Sequence, residues 1–441
     1  MALLYPFRAW RYNPAHVRLD DVVTQPYDKI TPAMQQAYYQ KSPYNLVRII
    51  LGLPELFDAE RGESVYGRAA RDFADWRAQG VLVQEKTPCV FAYSQRFQIP
   101  GSSETHERRG FIALGKLHDY ADQVVFRHEQ TLAKPKSDRM NLLAATKAHF
   151  GQIFMLYSDP ARTVQRILYD GTGAPDGEVT DEYGVQHRLW RISDPAVIRL
   201  LTTTMADKKL IIADGHHRYE TALQYSKEHA PAHQSRIEKR TGELPTPPYP
   251  EAAAMMTFVN MDAEGLVILP THRVVHGLGG FDENAFLHQA GKFFSTDKMP
   301  GADTAAWLAA LNAQPGAAFV LALRSGAWLL RAKPQETAPI LESLPQRQRN
   351  LDLACLHAVV LEHLLGLNAE AVRQESNIHY LRDAAEAVER VRRGEANLAF
   401  LVKPVPMEQL KEVAFAGEVM PQKSTDFYPK LLSGLTIYAL E

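Results

Sequence analysis

Residues 210–225 read LIIADGHHRYETALQY, and their pattern decides how the middle of the chain folds. The apolar run from Leu210 to Ala213 has the length of a short buried strand. Asp214-Gly215 is a tight turn, after which Tyr219, Ala222 and Leu223 recur at helical spacing. Working outward, VVF at 124–126, IFMLY at 153–157 and AAAMMTFVNM at 252–261 are further buried strands. A helix with Ser137 as its N-cap would carry Met140, Leu143 and Ala144 on one face. Residues 158–190 are polar and glycine-bearing, and 228–250 mix charge with prolines, as a surface loop or lid does.

Towards the N-terminus, Val65, Ala69, Phe73 and Trp76 predict a helix over 64–79 that stops at Gly80. VLVQE and PCVFAYSQRFQI are strand-like, GSSETHERRG is a polar turn, and FIALGKL is the antiparallel return. Beyond 278 come two alanine-rich helices, a hairpin turning at Ser325-Gly326, a long helix through LDLACLHAVVLEHLL, a helix through AAEAVERVRR and the strand NLAFLVKP. The class is α+β with a mixed sheet. Boundaries are expected at 1–120 for an N-terminal region, 121–277 for a phosphate-binding core and 278–441 for a C-terminal α/β lobe.

The 441 residues carry 49 Lys plus Arg against 51 Asp plus Glu. Such a balance supplies no field for general capture of nucleic acid or an anionic membrane. Two cysteines, Cys89 and Cys355, are too few for a disulfide framework and fit a reducing cytoplasm. Arg8 and Arg11 interrupt the apolar N-terminus, so no signal peptide is expected, and no apolar run approaches the roughly 20 residues of a membrane helix.

Chemistry concentrates in three places. At Asp214-Gly215-His216-His217-Arg218 a strand-to-helix turn points backbone N–H groups and the positive helix end at one spot. Arg218 and two imidazoles add charge-assisted donors, as phosphate binding requires. The plainer reading is that Asp214 caps the helix, Gly215 takes a positive φ and the histidines are satisfied surface groups. At Arg127-His128-Glu129, Glu129 beyond a buried strand suits a general base, with Lys134, Lys136 and Arg139 following as cations; the alternative is a charged strand end. At Lys423-Ser424-Thr425, a cation and two hydroxyls suit phosphate oxygens or magnesium, or simply a solvated loop. Asp28 in TQPYDKITP, and His272 with Arg273 in ILPTHRVV, are weaker candidates beside a turn-forming Asp and a solvated strand end. Gly110 to Leu117 has P-loop spacing, but FIAL is a strand and Leu117 replaces the metal-binding hydroxyl. His216 and His217, adjacent after a turn, lack the spacing of a zinc pair.

Taken together, ADGHHRYETAL at 213–223, RHEQTLAKPKSDRMNLL at 127–143, ILPTHRVV at 268–275 and MPQKSTDFYPKLLSGL at 420–435 resemble the bacterial family catalogued as domain of unknown function 1015. That family is distantly similar to the ParB/sulfiredoxin-like superfamily, whose Gly-x-x-Arg box binds nucleotide phosphates and which includes kinases of free L-serine. The resemblance falls on Gly215, His217 and Arg218, and on His128-Glu129, where the kinases have a His-Glu pair with the Glu as base. A ParB-type box has Ala where Thr221 stands and a second Arg where His217 stands. These departures weaken a DNA-partition reading more than a kinase reading.

The resemblance therefore implies a ParB-like core and a small-molecule kinase. Glu129, with His128, would deprotonate a hydroxyl, most simply that of L-serine. Gly215, His216, His217 and Arg218 would hold the phosphates of ATP, ADP or pyrophosphate, with Lys423, Ser424 and Thr425 closing over them and Mg2+ bridging oxygens through Asp214. A phosphate-binding regulator without turnover and a metal-dependent hydrolase are the alternatives. Neither nucleic acid nor membrane is an expected partner, and a homodimer stays open.

Overall fold

A computed structural model describes residues 1–54, 64–129, 133–233 and 244–441, with backbone alone at 133–135, 231–233 and 369. The middle of the segment at 228–250 therefore lies outside the described residues, as does the side chain of Lys134. The chain divides into two compact units. The first comprises Met1–Arg127, Thr131–Leu266 and Pro429–Glu441; the second comprises His128–Gln130 and Val267–Tyr428.

The first unit is built on a nine-stranded sheet. Its order is Val125–Phe126, Leu210–Asp214, Ile153–Tyr157, Ala253–Asn260, Thr105–Lys116, Val90–Gln98, Gln186–Ile192 and Gly177–Thr180, with Leu4–Tyr5 also paired to Thr105–Lys116. Leu210–Asp214 runs parallel to Val125–Phe126, and Ala253–Asn260 runs parallel to Ile153–Tyr157. The other pairings are antiparallel, so the expected mixed α+β sheet is present. Ile153–Tyr157 and Ala253–Asn260 are buried at every position, which is why they read as near-continuous apolar runs instead of alternating, with Thr257 and Asn260 the polar exceptions in the second. Helix His216–His233 packs on both strands and on helix Ala133–Thr146, placing Tyr219 and Ala222 in one core with Met155 and Ile212.

The second unit has a six-stranded antiparallel sheet in the order Phe294–Lys298, Gly326–Ala332, Ala318–Leu323, Leu398–Leu401, His272–Val275 and Ile378–Leu381. Its core joins Val274, Val320 and Leu401 of the sheet to Trp307 and Val388 of two helices. A separate pair, Val267–Leu269 with Asp426–Tyr428, is antiparallel.

Helix Val65–Ala78 begins as expected, with the Ser64 hydroxyl accepting from Gly67 N–H at 3.1 Å. Three expectations are corrected, and one stretch left without elements is filled. Ser137 is not an N-cap: the helix starts at Ala133, and Pro135 sits in its first turn, where a missing N–H costs nothing. The polar turn after Gln98 is shorter than expected, because the return strand already begins at Thr105. Residues 158–190 contain helix Thr163–Tyr169 and an antiparallel hairpin of Gly177–Thr180 with Gln186–Ile192. The long helix after Leu351 is α-helical over Asp352–Cys355 and then widens to a π-helix over Leu356–Leu364. No helix among the described residues is long and apolar enough to cross a membrane.

Candidate functional site

In the first unit the site starts from a break in strand pairing. Strand Leu210–Asp214 keeps regular register with Ile153–Tyr157 up to Ile212, then shifts before Asp214. Such irregularities re-aim the side chain that follows. Asp214 thereby accepts from Arg218 Nη2 at 2.8 Å and from Lys430 Nζ at 3.1 Å, one carboxylate oxygen each. Gly215 has φ +93°, and a Cβ there would stand 3.0 Å from the Arg218 guanidinium. Only glycine meets both demands. Arg218 Nη1 also donates to Gln152 O, so the guanidinium lies back over the turn. The first intrahelical bond runs from Tyr219 N–H to Gly215 O at 2.9 Å. His216 is buried and His217 partly exposed.

Burial alone would raise the Asp214 carboxyl, but Lys430, Arg218 and Lys29 outweigh it and hold the group far below the usual carboxylate range. The residue is an ionised counter-charge for two cations, not the helix cap of the plainer reading. Each carboxylate oxygen of Asp214 is engaged by one cation. Among the described residues no three His, Cys, Asp or Glu side chains converge as metal ligands.

Lys430 was not legible as a site residue, and its placement depends on two others. Arg108, 2% exposed, donates through Nε to Gln95 Oε1 at 3.0 Å and through Nη2 to Pro429 O. Gln95 Nε2 donates to Lys430 O at 2.8 Å. A buried guanidinium thus fixes the backbone that carries Lys430. The available signal was parity: Arg108 shares the phase of Ile112 and Leu114 along one strand, an inward position for a cation.

A cleft of about 560 Å³ opens beside Arg218. Its walls are apolar at Ile50, Leu142, Leu143 and Phe150, and Arg218, Thr221 and Ser433 add polar groups. Arg139 lies 3.9 Å over the Tyr27 ring and donates twice to Ile50 O at 3.0 Å. Asp28 sits in the short 3-10 helix Tyr27–Lys29. Lys136 instead pairs with Glu220, which Arg127 and Tyr120 also contact at 3.4 and 3.2 Å.

The second unit gathers the other candidates. His128, fully buried, places Nε2 2.7 Å from Thr425 Oγ1, while Thr425 donates to Glu129 Oε1 at 3.5 Å. His128 O accepts from Met420 N–H at 2.8 Å, tying the segment to the loop before Lys423. Lys423 adopts φ +56° and lies 3.7 Å from Glu375. The Ser424 hydroxyl turns inward to Pro421 O. His272 and Arg273 are not a solvated strand end: both are buried, on an inner strand of the sheet. His272 Nδ1 accepts from Val402 N–H at 3.2 Å, and burial with Arg273 alongside pushes the imidazole down to about 4. Arg273 donates to the carbonyls of Thr271, Gln422 and Lys423. Burial lowers its guanidinium to about 10, against the opposing pull of Tyr380 and Glu129.

Residues 4–354 match the family described as "Protein of unknown function (DUF1015)". The chain belongs to that family. The boxes at 127–143, 213–223 and 268–275 fall within the matched residues, and 420–435 lies beyond them. No curated protein matches the chain. Solved structures similar to it include a conserved hypothetical protein from Pyrococcus furiosus, at 13% identity and TM-score 0.34, covering 74% of this chain and 94% of that one. A variant of free serine kinase in complex with ADP gives 12% identity and TM-score 0.35, over 74% of this chain and 92% of its own. SbnI with C-terminal truncation from Staphylococcus aureus gives 9% and 0.34, over 74% and 87%. Likeness at this level carries no argument about chemistry, which rests on the DUF1015 chain's own residues.

Proposed function

We propose that this protein is a phosphotransferase that moves a terminal phosphoryl group from ATP, ADP or pyrophosphate to the hydroxyl of a small acceptor, free L-serine in the first instance. The observation that carries the reading is the convergence of Arg218 and Lys430 on Asp214 at a glycine turn that starts a helix. Two cations, a positive helix end and a backbone free of Cβ make an anion site. Asp214 keeps the cations aligned until the donor's phosphates take them over, and His217 adds a donor from the first turn.

In phosphoryl transfer the protein mainly positions reactants and neutralises charge. Glu129 takes the proton of the acceptor hydroxyl as that oxygen bonds to the terminal phosphorus. The bond from phosphorus to the bridging oxygen breaks, and the shortened donor leaves with the electron pair. Thr425 and His128 orient the carboxylate, and Lys423 offers a further cation. Asp214, once the phosphates draw off its two cations, would hold a magnesium ion that neutralises charge on the donor.

Donor binding tests the reading directly. Hydrogen bonds to charged groups contribute about 1.5–3 kcal/mol, so Arg218→Ala should weaken ADP and pyrophosphate about tenfold or more by calorimetry. An unchanged dissociation constant for both ligands would remove Arg218 from the site.

A further inference from the structure

We propose that the cleft beside Arg218 takes the base of a nucleoside di- or triphosphate, that the donor is therefore a nucleotide and not pyrophosphate, and that Thr221 reads a polar edge of that base. The inference rests on the Gly215–Arg218 turn binding phosphate, and it goes further by choosing among donors. Pyrophosphate needs only the cations of the turn. The cleft that Arg218 lines also carries apolar side chains for which a pyrophosphate has no use.

Its lining mixes cationic, apolar and hydroxyl side chains. Arg218 and Arg139 line it, and Leu142, Leu143, Ile50 and Phe150 make much of the remaining wall, apolar surface that a phosphate does not use. Tyr27 offers a flat aromatic surface there, held by Arg139 stacked at 3.9 Å and itself anchored on Ile50 O. Rigid rings of this kind are platforms on which bases stack. His149, also on the wall, is pushed down to about 4 by burial, so it adds no positive charge at neutral pH.

Thr221 supplies the independent observation. It stands one helical turn after Arg218, on the same face, and lines the cleft. It is 3% exposed, and its hydroxyl oxygen is buried without a hydrogen-bond partner among the described residues. Buried hydroxyls are nearly always bonded; a base edge with a ring nitrogen or exocyclic group would complete this one. Thr221 is also where the chain departs from a ParB-type box, which has Ala there.

Calorimetry on the full chain with ADP, ATP and inorganic pyrophosphate, repeated with Thr221→Val, tests the inference. The wild type should bind the nucleotides at least about tenfold more tightly than pyrophosphate. Thr221→Val, which keeps shape and removes the hydroxyl, should weaken ADP about three- to tenfold, the range of one hydrogen bond. Pyrophosphate binding should not change, which also shows that the variant's turn is intact. Equal wild-type affinity for ADP and pyrophosphate overturns the nucleotide assignment while leaving the phosphate site standing. Unchanged ADP affinity in Thr221→Val overturns the role of Thr221. Should the wild type bind none of the three, the phosphate site itself fails, and this inference with it.

Discussion

Glu129→Ala is expected to lower phosphoryl transfer about a hundred- to ten-thousandfold, the usual contribution of a general base, while leaving the melting temperature unchanged. The selectivity follows from the local bonding. His128 keeps Thr425 at 2.7 Å and Met420 N–H at 2.8 Å when the neighbouring carboxylate is gone, so the segment stays in place. Donor affinity should be unaltered, because the cations assigned to the donor are Arg218 and Lys430. The variant also separates enzyme from regulator: a regulator binds the donor, leaves it intact and has no need of a base. Initial rates and a thermal melt on the same preparation check both halves. Retained turnover in Glu129→Ala would remove Glu129 from the mechanism.

Asp214→Asn should have the largest effect on stability. It leaves Arg218 and Lys430 without their shared counter-charge, and breaking a buried pair costs about 3–5 kcal/mol. With 21% of the Asp214 side chain exposed, the low end of that range, about 3 kcal/mol, is expected at pH 7. The pH dependence has a definite sign. The unfolded carboxyl titrates near about 3.9, whereas in the folded protein the neighbouring cations hold it far lower despite burial. Its contribution is thus fully present above about pH 4 and is lost as pH falls toward the folded value. The stability gap between wild type and Asp214→Asn should narrow by about 1.4 kcal/mol per pH unit below about pH 4. Urea midpoints at pH 7, 5 and 3 measure it; a gap constant over that range would show that Asp214 is not the ionised partner of the two cations.

The parts of this molecule that were legible in advance are those whose cause is local. The strand at 210–214, the glycine turn and the helix after it follow from apolar runs and helical spacing, and Ser64 caps its helix as its position requires. Strand Gln186–Ile192 is harder to read although it alternates, with His187 and Leu189 inward. An inward histidine looks polar until its partners are known, and they are Tyr93 at 2.6 Å and Asp181 at 3.3 Å. The missed site residues have distant causes. Lys430 meets Asp214 across 216 residues, and Arg108 reaches Pro429 O across 321; no window of sequence contains both partners. The cleft was equally hidden, since Tyr27, Ile50, Leu143 and Ser433 come from four separate segments. Conversely, Lys136 and Ser424 were named for their chemistry, yet Glu220 and Pro421 O already engage them.

The most direct test of the central claim is phosphorus NMR of the purified protein with L-serine and magnesium, offering ATP, ADP and pyrophosphate in separate samples, with Glu129→Ala in parallel. The account predicts an O-phosphoserine resonance with a nucleotide donor, matched by loss of the donor's terminal phosphorus and absent in the variant. Donor signals that stay intact in every wild-type sample, or a phosphoserine signal of equal rate in Glu129→Ala, would contradict it.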